Sequence, residues 1–258
     1  MSRYREFSAP AQLRGLVRCA WRSRLDAGAP VHHQRVLPDG CMDLIWLTDD
    51  VVVAGPDQSA FIAPQRPGTT ITGLRFHPGT APTLLGVPAR VLRGQRVPLR
   101  ELNPALADRA TRLVTDGASP DDALLGTVVA ARESVAGTPP FGGAGAHLVT
   151  RLLAAGASVA STAEALGWTT RSLHRHANDA FGYGPATLRR VLRFHSALAL
   201  ARGDVPAAEA AARAGYADQA HLAREVRALA GVPLTQLLAE SRGANNSTGL
   251  PSGSASTA

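Results

Sequence analysis

The feature that most constrains this chain is an internal repeat in its second half. Ala163-Glu164-Ala165-Leu166-Gly167-Trp168 is echoed 48 residues later by Ala211-Ala212-Arg213-Ala214-Gly215-Tyr216. After the Gly-aromatic pair each copy places a helix-capping residue, Thr169 or Asp218. A leucine follows four residues beyond each cap (Leu173, Leu222), and an arginine two further on (Arg175, Arg224). Each copy then closes on Gly and Pro, Gly182…Pro185 and Gly231…Pro233. Self-similarity of this kind marks one supersecondary unit used twice. The expected unit is helix, tight turn, helix. The first helices, Val159 to Leu166 and Pro206 to Ala214, are short and Ala-rich, so a partner can pack closely. Gly167 and Gly215 supply the left-handed residue that stops them. Trp168 and Tyr216 fold back over the junction, and Thr169 and Asp218 accept from free amides at the start of the second helix.

Thr187 to Arg202 joins the copies with a helix-compatible stretch containing Arg189, Arg190 and Arg193, long enough to hold two units at fixed spacing. This is the anatomy of a helix-turn-helix, whose second helix enters the DNA major groove by its N-terminal end. Helical geometry selects the side chains that would contact DNA. Arg171, His174 and Arg175 lie at i, i+3 and i+4 on one face of the first recognition helix; Gln219, Ala220, His221 and Arg224 occupy that face in the second. Arginine can donate two bonds to guanine, and glutamine can pair with adenine. Other roles stay open: Arg175 or Arg224 solvated or tied to a neighbouring helix, His174 or His221 on phosphate alone.

From about Ala157 to Leu238 the sequence resembles the AraC-type DNA-binding domain, two helix-turn-helix units on a linking helix. The landmarks are Leu166-Gly167-Trp168-Thr169, Leu173-x-Arg175, Phe181-Gly182-x-x-Pro185, Arg193, Ala211, Gly215-Tyr216-x-Asp218, Leu222-x-Arg224 and Gly231-Val232-Pro233. The resemblance implies sequence-specific binding of double-stranded DNA. Where that family usually carries a core Phe two residues after the helix Arg, this chain has Ala177 and Val226, and Phe181 is placed to refill the first site.

The first hundred residues read differently. Val31 to Leu37, Met42 to Leu47, Val51 to Ala54 and Thr69 to Phe76 are short apolar or β-branched runs. Pro38-Asp39-Gly40, Asp49-Asp50 and Gly55-Pro56-Asp57 separate them. Such punctuation predicts an antiparallel sheet or small barrel. Helical spacing follows in Ala105 to Val114 and Pro120 to Val135, helices that either pair two copies of the chain or pack on their own sheet. Arg35 to Trp46 and Gly73 to Gly79 resemble an N-terminal domain often fused to AraC-type domains, which implies a sensing and oligomerisation module.

No catalytic set emerges in this half. Cys41 has only Arg35 as a cationic neighbour, so a buried inert thiol is expected rather than a nucleophile. His32 and His33 point to opposite faces of a strand, leaving at most one to join His77, so no metal site is expected. Asp39 and Asp57 suit turns and caps, and nothing pairs Asp43 with a nucleophile. No phosphate loop, dinucleotide fingerprint or nucleophile elbow occurs, and no cofactor is expected.

Ala136 to Gly143, with two prolines and three glycines, breaks any regular element. The expected organisation is therefore a 1–135 N-terminal domain, a 136–146 linker crossed by few contacts, a 147–242 DNA-binding domain and a disordered 243–258 tail. The class is α+β, with a sheet-and-helix half followed by an all-α double helix-turn-helix half. All 27 basic residues are arginine against 20 acids, a net charge of +7 that favours an anionic partner. Two cysteines exclude a disulfide scaffold, and residues 1–20 lack the apolar core of a secretory signal. The longest nearly apolar run, Ala123 to Ala131, is about half a membrane span. A cytoplasmic transcription regulator, activator or repressor, is expected, and not an enzyme. Its candidate partners beyond DNA are a small-molecule effector, RNA polymerase and a second copy of the chain, with no membrane. The alternative is an enzyme or ligand-binding module in the N-terminal half, with DNA binding secondary.

Overall fold

The computed structural model describes residues 2–137 and 145–245. Its N-terminal half is built on β1 (Ser2–Ser8), β2 (Val17–Leu25), β3 (His32–Val36), β4 (Asp43–Leu47), β5 (Asp50–Ala54), β6 (Phe61–Gln65), β7 (Thr70–Phe76) and β8 (Arg96–Pro98). Six strands pair antiparallel in the order β1-β2-β7-β4-β5-β8, while β3 and β6 form a separate two-stranded ribbon. The four strands expected from apolar runs are present. Four more, β1, β2, β6 and β8, lie in segments rich in arginine or proline. In β2 the signal was alternation: Cys19, Trp21, Ser23 and Leu25 are buried while Arg22 and Arg24 are exposed.

The sheet has two distinct faces. Leu44, Val51, Val53, Leu74 and Phe76 point into a core shared with four helices: α1 (Ala81–Leu85), α2 (Leu99–Leu102), α3 (Pro104–Thr115) and α4 (Pro120–Ser134). Asn103 caps α3 by accepting from the Leu106 amide, and Ser119 caps α4 by accepting from that of Asp122; each helix also begins with proline. Leu106 and Ala110 of α3 and Leu124 and Val128 of α4 enter the same core. Both helices pack on their own sheet, one of the two roles the sequence left open for them. The residues in between, Asp43, Ile45, Val52, Ala54 and Arg75, face the opposite way, toward the ribbon.

The C-terminal half is all helix: α5 (Ala146–Ala154), α6 (Val159–Ala165), α7 (Thr170–Phe181), α8 (Pro185–Arg202), α9 (Ala207–Arg213), α10 (Gln219–Ala230) and α11 (Leu234–Asn245). One apolar cluster joins Val149 and Leu153 of α5 to Ala163, Leu173, Ala177 and Leu188. A second joins Val191, Phe194 and Leu198 to Ala211, Tyr216, Leu222, Val226 and Leu237. Helix α8 thus supplies side chains to both clusters and sets the spacing of the two units. Phe181 is buried in the same first cluster as Ala177. Helix α11 runs to Asn245. Residues 138–144 of the expected linker and 246–258 of the expected tail lie outside the described residues.

The halves dock closely, contrary to the few contacts expected from the linker composition. Arg35 bonds Glu240 at 3.1 Å and the Ala230 carbonyl at 2.8 Å. The Ala60 amide donates to the Leu229 carbonyl at 2.7 Å, and the His195 Nε2 lies 2.7 Å from the Pro38 carbonyl. Leu37 is part of the second C-terminal cluster. On the first unit Arg90 pairs with Asp179, and Arg93 reaches the Gly182 carbonyl. Gly182, at φ +79, sits so close that a Cβ there would meet Pro56 at 2.5 Å. A linker's composition describes the path of the chain, not whether the bodies it joins adhere. The contacts here run through main-chain carbonyls, small residues and ion pairs between residues far apart in the chain, which leave no local mark on a sequence.

Candidate nucleic-acid interface

The two halves of the repeat are built alike at the level of single hydrogen bonds. In the first, the Gly167 amide bonds the Glu164 carbonyl and the Trp168 amide that of Ala163; in the second, Gly215 bonds Ala212 and Tyr216 bonds Ala211. This is the paired hydrogen-bond pattern that ends a helix on a left-handed glycine, and Gly167 and Gly215 have φ of +66° and +77°. Thr169 then caps α7 by accepting from the Ser172 amide at 3.1 Å, and Asp218 caps α10 by accepting from that of His221 at 2.6 Å. The caps leave the first turns of both helices facing solvent, with their unsatisfied amides and positive dipole end ready for an anion.

Arg171, His174 and Arg175 are exposed along one face of α7, and Gln219, Ala220 and Arg224 are exposed along α10. None of Arg171, Arg175 and Arg224 has an ion pair or hydrogen-bond partner among the described residues, so each guanidinium is available. His174 lies across Gly184, where an added Cβ would meet the ring at 2.4 Å. His221 departs from the expected arrangement. It is half-buried beside the cap, its ring edge-on to Tyr216 at 5.2 Å, in the place Ser172 takes in the first unit. Counting from the caps, Arg175 and Arg224 are equivalent, and Arg171 is matched by Ala220. At these matched positions the first recognition helix presents two arginines and the second one.

Trp168 and Tyr216 do fold over their junctions, in different ways. Trp168 lies 4.4 Å from the His176 ring, and burial holds that histidine below its ordinary pKa, with Arg175 adding to the effect. Tyr216 is buried beneath Arg193, whose guanidinium carbon sits 4.1 Å above its ring. Arg190 is bonded to Glu225 of α10 at 2.7 Å. It therefore braces α8 against the second recognition helix rather than standing free for phosphate. Arg189, Arg190 and Arg193 also line a groove of about 110 Å³ with Val159 and Ala186, beside the start of α6. Sequence reasoning named these arginines but not Glu225, and one glutamate on an arginine-bearing helix gave no signal.

The N-terminal candidates are buried in a charge network. Asp43 accepts two bonds from Arg75 at 3.1 Å and one from the Trp21 indole at 3.0 Å. Burial lifts the Asp43 carboxyl above its ordinary pKa even so. Burial also opposes the charge on Asp39, but Arg75 and then His195 outweigh it and hold that carboxyl below the usual range. Asp39 closes its turn by accepting from the Cys41 amide, and Asp57 pairs with Arg96 at 2.6 Å. Cys41 is buried and unbridged, its thiol raised first by burial and then by Asp39; burial pushes Cys19 up to about 12. His32 and His33 lie on the ribbon, whereas His77 meets the Arg14 carbonyl at 3.0 Å and the edge of His147. Among the described residues no helix is long and apolar enough to cross a membrane.

Comparison with known proteins follows this division. Residues 162–240 match the model of a helix-turn-helix domain, and residues 5–98 match a domain of unknown function, DUF6597. No curated protein matches the chain. Among solved structures, ToxT from Vibrio cholerae O395 aligns with a TM-score of 0.40 and 9% identity, over 91% of this chain and 96% of that one. An apo single-residue variant of ToxT from Vibrio cholerae strain SCE256 aligns with a TM-score of 0.40 and 10% identity, over 85% and 96%. The chain thus carries a region similar to DUF6597 at residues 5–98 and a helix-turn-helix domain of the AraC type at residues 162–240.

Proposed function

We propose that this protein regulates transcription by placing α7 and α10 in successive major grooves on one side of a DNA duplex. The observation that carries the reading is the equivalence of the two units. Each has a side-chain cap, a solvent-facing first turn and an unpaired arginine at the same position, Arg175 or Arg224. Arg171, His174 and Arg175 contact the first groove, and Gln219, Ala220 and Arg224 the second, with His221 kept to the phosphate side by its contact with Tyr216. Successive grooves on one face recur about every 34 Å. A hydroxyl-radical footprint of the full chain should therefore protect two patches about one helical turn apart on one face. Protection confined to a single half-turn would count against use of both units.

Regulation by a small molecule belongs to the same proposal. The ribbon side of the N-terminal sheet encloses a cavity, and the ribbon touches the DNA-binding domain directly. In this reading the N-terminal half is an effector module and not an enzyme, working in the cytoplasm beside RNA polymerase, with a second copy of the chain on paired sites.

A further inference from the structure

Between the ribbon and the sheet lies a cavity of about 240 Å³. Ile45, Val52 and Ile71 form its sheet wall, and Val36, Phe61 and Ala63 its ribbon wall. Leu47 and Phe61, both lining it, are large apolar side chains left 44% and 37% exposed. The volume falls below the roughly 300–1,000 Å³ of sites for drug-sized molecules and suits one or two rings. The stacked rings of Tyr4 and Trp21, 5.9 Å apart, add an aromatic wall.

The charged groups that border the cavity are already committed. Arg75 and the Trp21 indole are bonded to Asp43, and Arg96 takes Asp57 with two bonds. Gln65 is bonded to the Ser23 hydroxyl and to the carbonyls of Ser23 and Thr69. Gln34 differs: its amide has no hydrogen-bond partner among the described residues, and it lines the cavity. An ionic ligand would enter with its charge uncompensated against apolar walls, whereas one neutral polar group can be met by the Gln34 amide.

The ribbon is also a wall of the DNA-binding domain. Along β3, Gln34 and Val36 turn to the cavity, while Arg35 between them bonds Glu240 and the Ala230 carbonyl. On β6, Phe61 enters the cavity and its neighbour Ala60 donates to Leu229. Resting on the regulator reading above, we propose that this cavity takes a small uncharged ring compound carrying one hydrogen-bonding group for Gln34, and that the ribbon transmits its occupancy to the α10–α11 junction. A ring seated between ribbon and sheet shifts the ribbon, and a packed junction answers a shift by changing arrangement rather than by yielding smoothly.

The test titrates the full chain with phenol, indole and 2-naphthol, and with benzoate, indole-3-carboxylate and 2-naphthoate, by calorimetry. It also measures affinity for a duplex selected from a random pool, with and without each compound. At least one neutral compound should bind saturably, and its acid at least about tenfold more weakly, because the acid's charge stays unpaired. Ala63→Trp and Val52→Phe, which fill the cavity from opposite walls, should each abolish that binding while duplex binding certifies the fold. The bound compound should change duplex affinity by about fivefold or more, a usual size for coupling between sites. Arg35→Met should remove that change and leave the compound bound. Equal binding of acids and neutral compounds, or binding that survives in both filled variants, overturns the cavity assignment. So does a chain that binds duplex but no neutral compound. A bound compound that leaves duplex affinity unmoved overturns the coupling. A chain that binds neutral compounds but no duplex overturns the regulator reading instead.

Discussion

Arg224 and His195 show what single side chains do in this molecule. Arg224 is exposed near the start of α10 and unpaired, so its full donor fork is available to a base. Arg224→Ala should cost about 1–3 kcal/mol on the selected duplex and relax preference at one base pair, because a two-bond guanine contact is lost. Competition titrations with cognate and random duplexes check this, and equal weakening on both would make Arg224 a backbone contact. His195 faces inward, against the turn that carries Pro38 and Asp39. Burial lowers its pKa from the ordinary 6.5; Asp39 and the Pro38 carbonyl oppose the shift, and Arg202 and Arg18 add to it. The unfolded chain therefore takes up this proton first. Stability should fall as pH drops from about 6.5 toward the lowered value, by at most about 1.4 kcal/mol per pH unit for one proton. Urea unfolding at pH 7.5 and 5.5 should show a smaller loss for His195→Gln than for the unaltered chain. The remaining loss belongs to His32, His77 and His176, whose pKa values burial also lowers.

At the scale of elements, the legible features were those written into local backbone chemistry. The turn glycines, the caps Thr169 and Asp218 and the ends of the four expected strands follow from residue types that permit few alternatives. Strands β1 and β2 escaped notice because Arg3, Arg5, Arg22 and Arg24 hide a plain alternation behind charge. The DNA-facing set was largely legible, since spacing on a helix fixes a shared face. What spacing could not show is which arginine a neighbouring element has already engaged. Arg190 is the example, held by Glu225 across two helices. Its removal should leave the salt dependence of duplex binding unchanged, where loss of a phosphate contact would lower the slope by about one unit. A double-mutant cycle with Arg190→Ala and Glu225→Ala should return about 0.2–1 kcal/mol of coupling in unfolding experiments, the range for a partly exposed pair.

At the scale of the whole molecule, the N-terminal domain touches both helix-turn-helix units, through Arg90 and Arg93 on the first and through Arg35, Leu37 and Ala60 on the second. Their spacing is thus set by α8 on one side and by the N-terminal half on the other. Residues 1–137 expressed alone would expose Leu37 and Ala60, which pack against the second C-terminal cluster. This fragment should bind an apolar fluorescent dye more strongly than the full chain at equal concentration, and adding residues 145–245 in trans should reduce the signal. Unchanged dye binding would mean the interface contributes little. The six-stranded sheet remains open, with β1 and the short β8 as its borders. β8 is three residues long and contains Pro98, which cannot donate to a further strand. β1 is seven residues long and carries Phe7, 45% exposed, so on its own it offers a template for another chain. Arg3 and Arg5 on that border repel a second copy of it. Replacing both with threonine should leave the fold intact and turn the protein toward aggregation, visible as rising light scatter on concentration. The arginines that hide this strand in the sequence are what keep its edge from recruiting others.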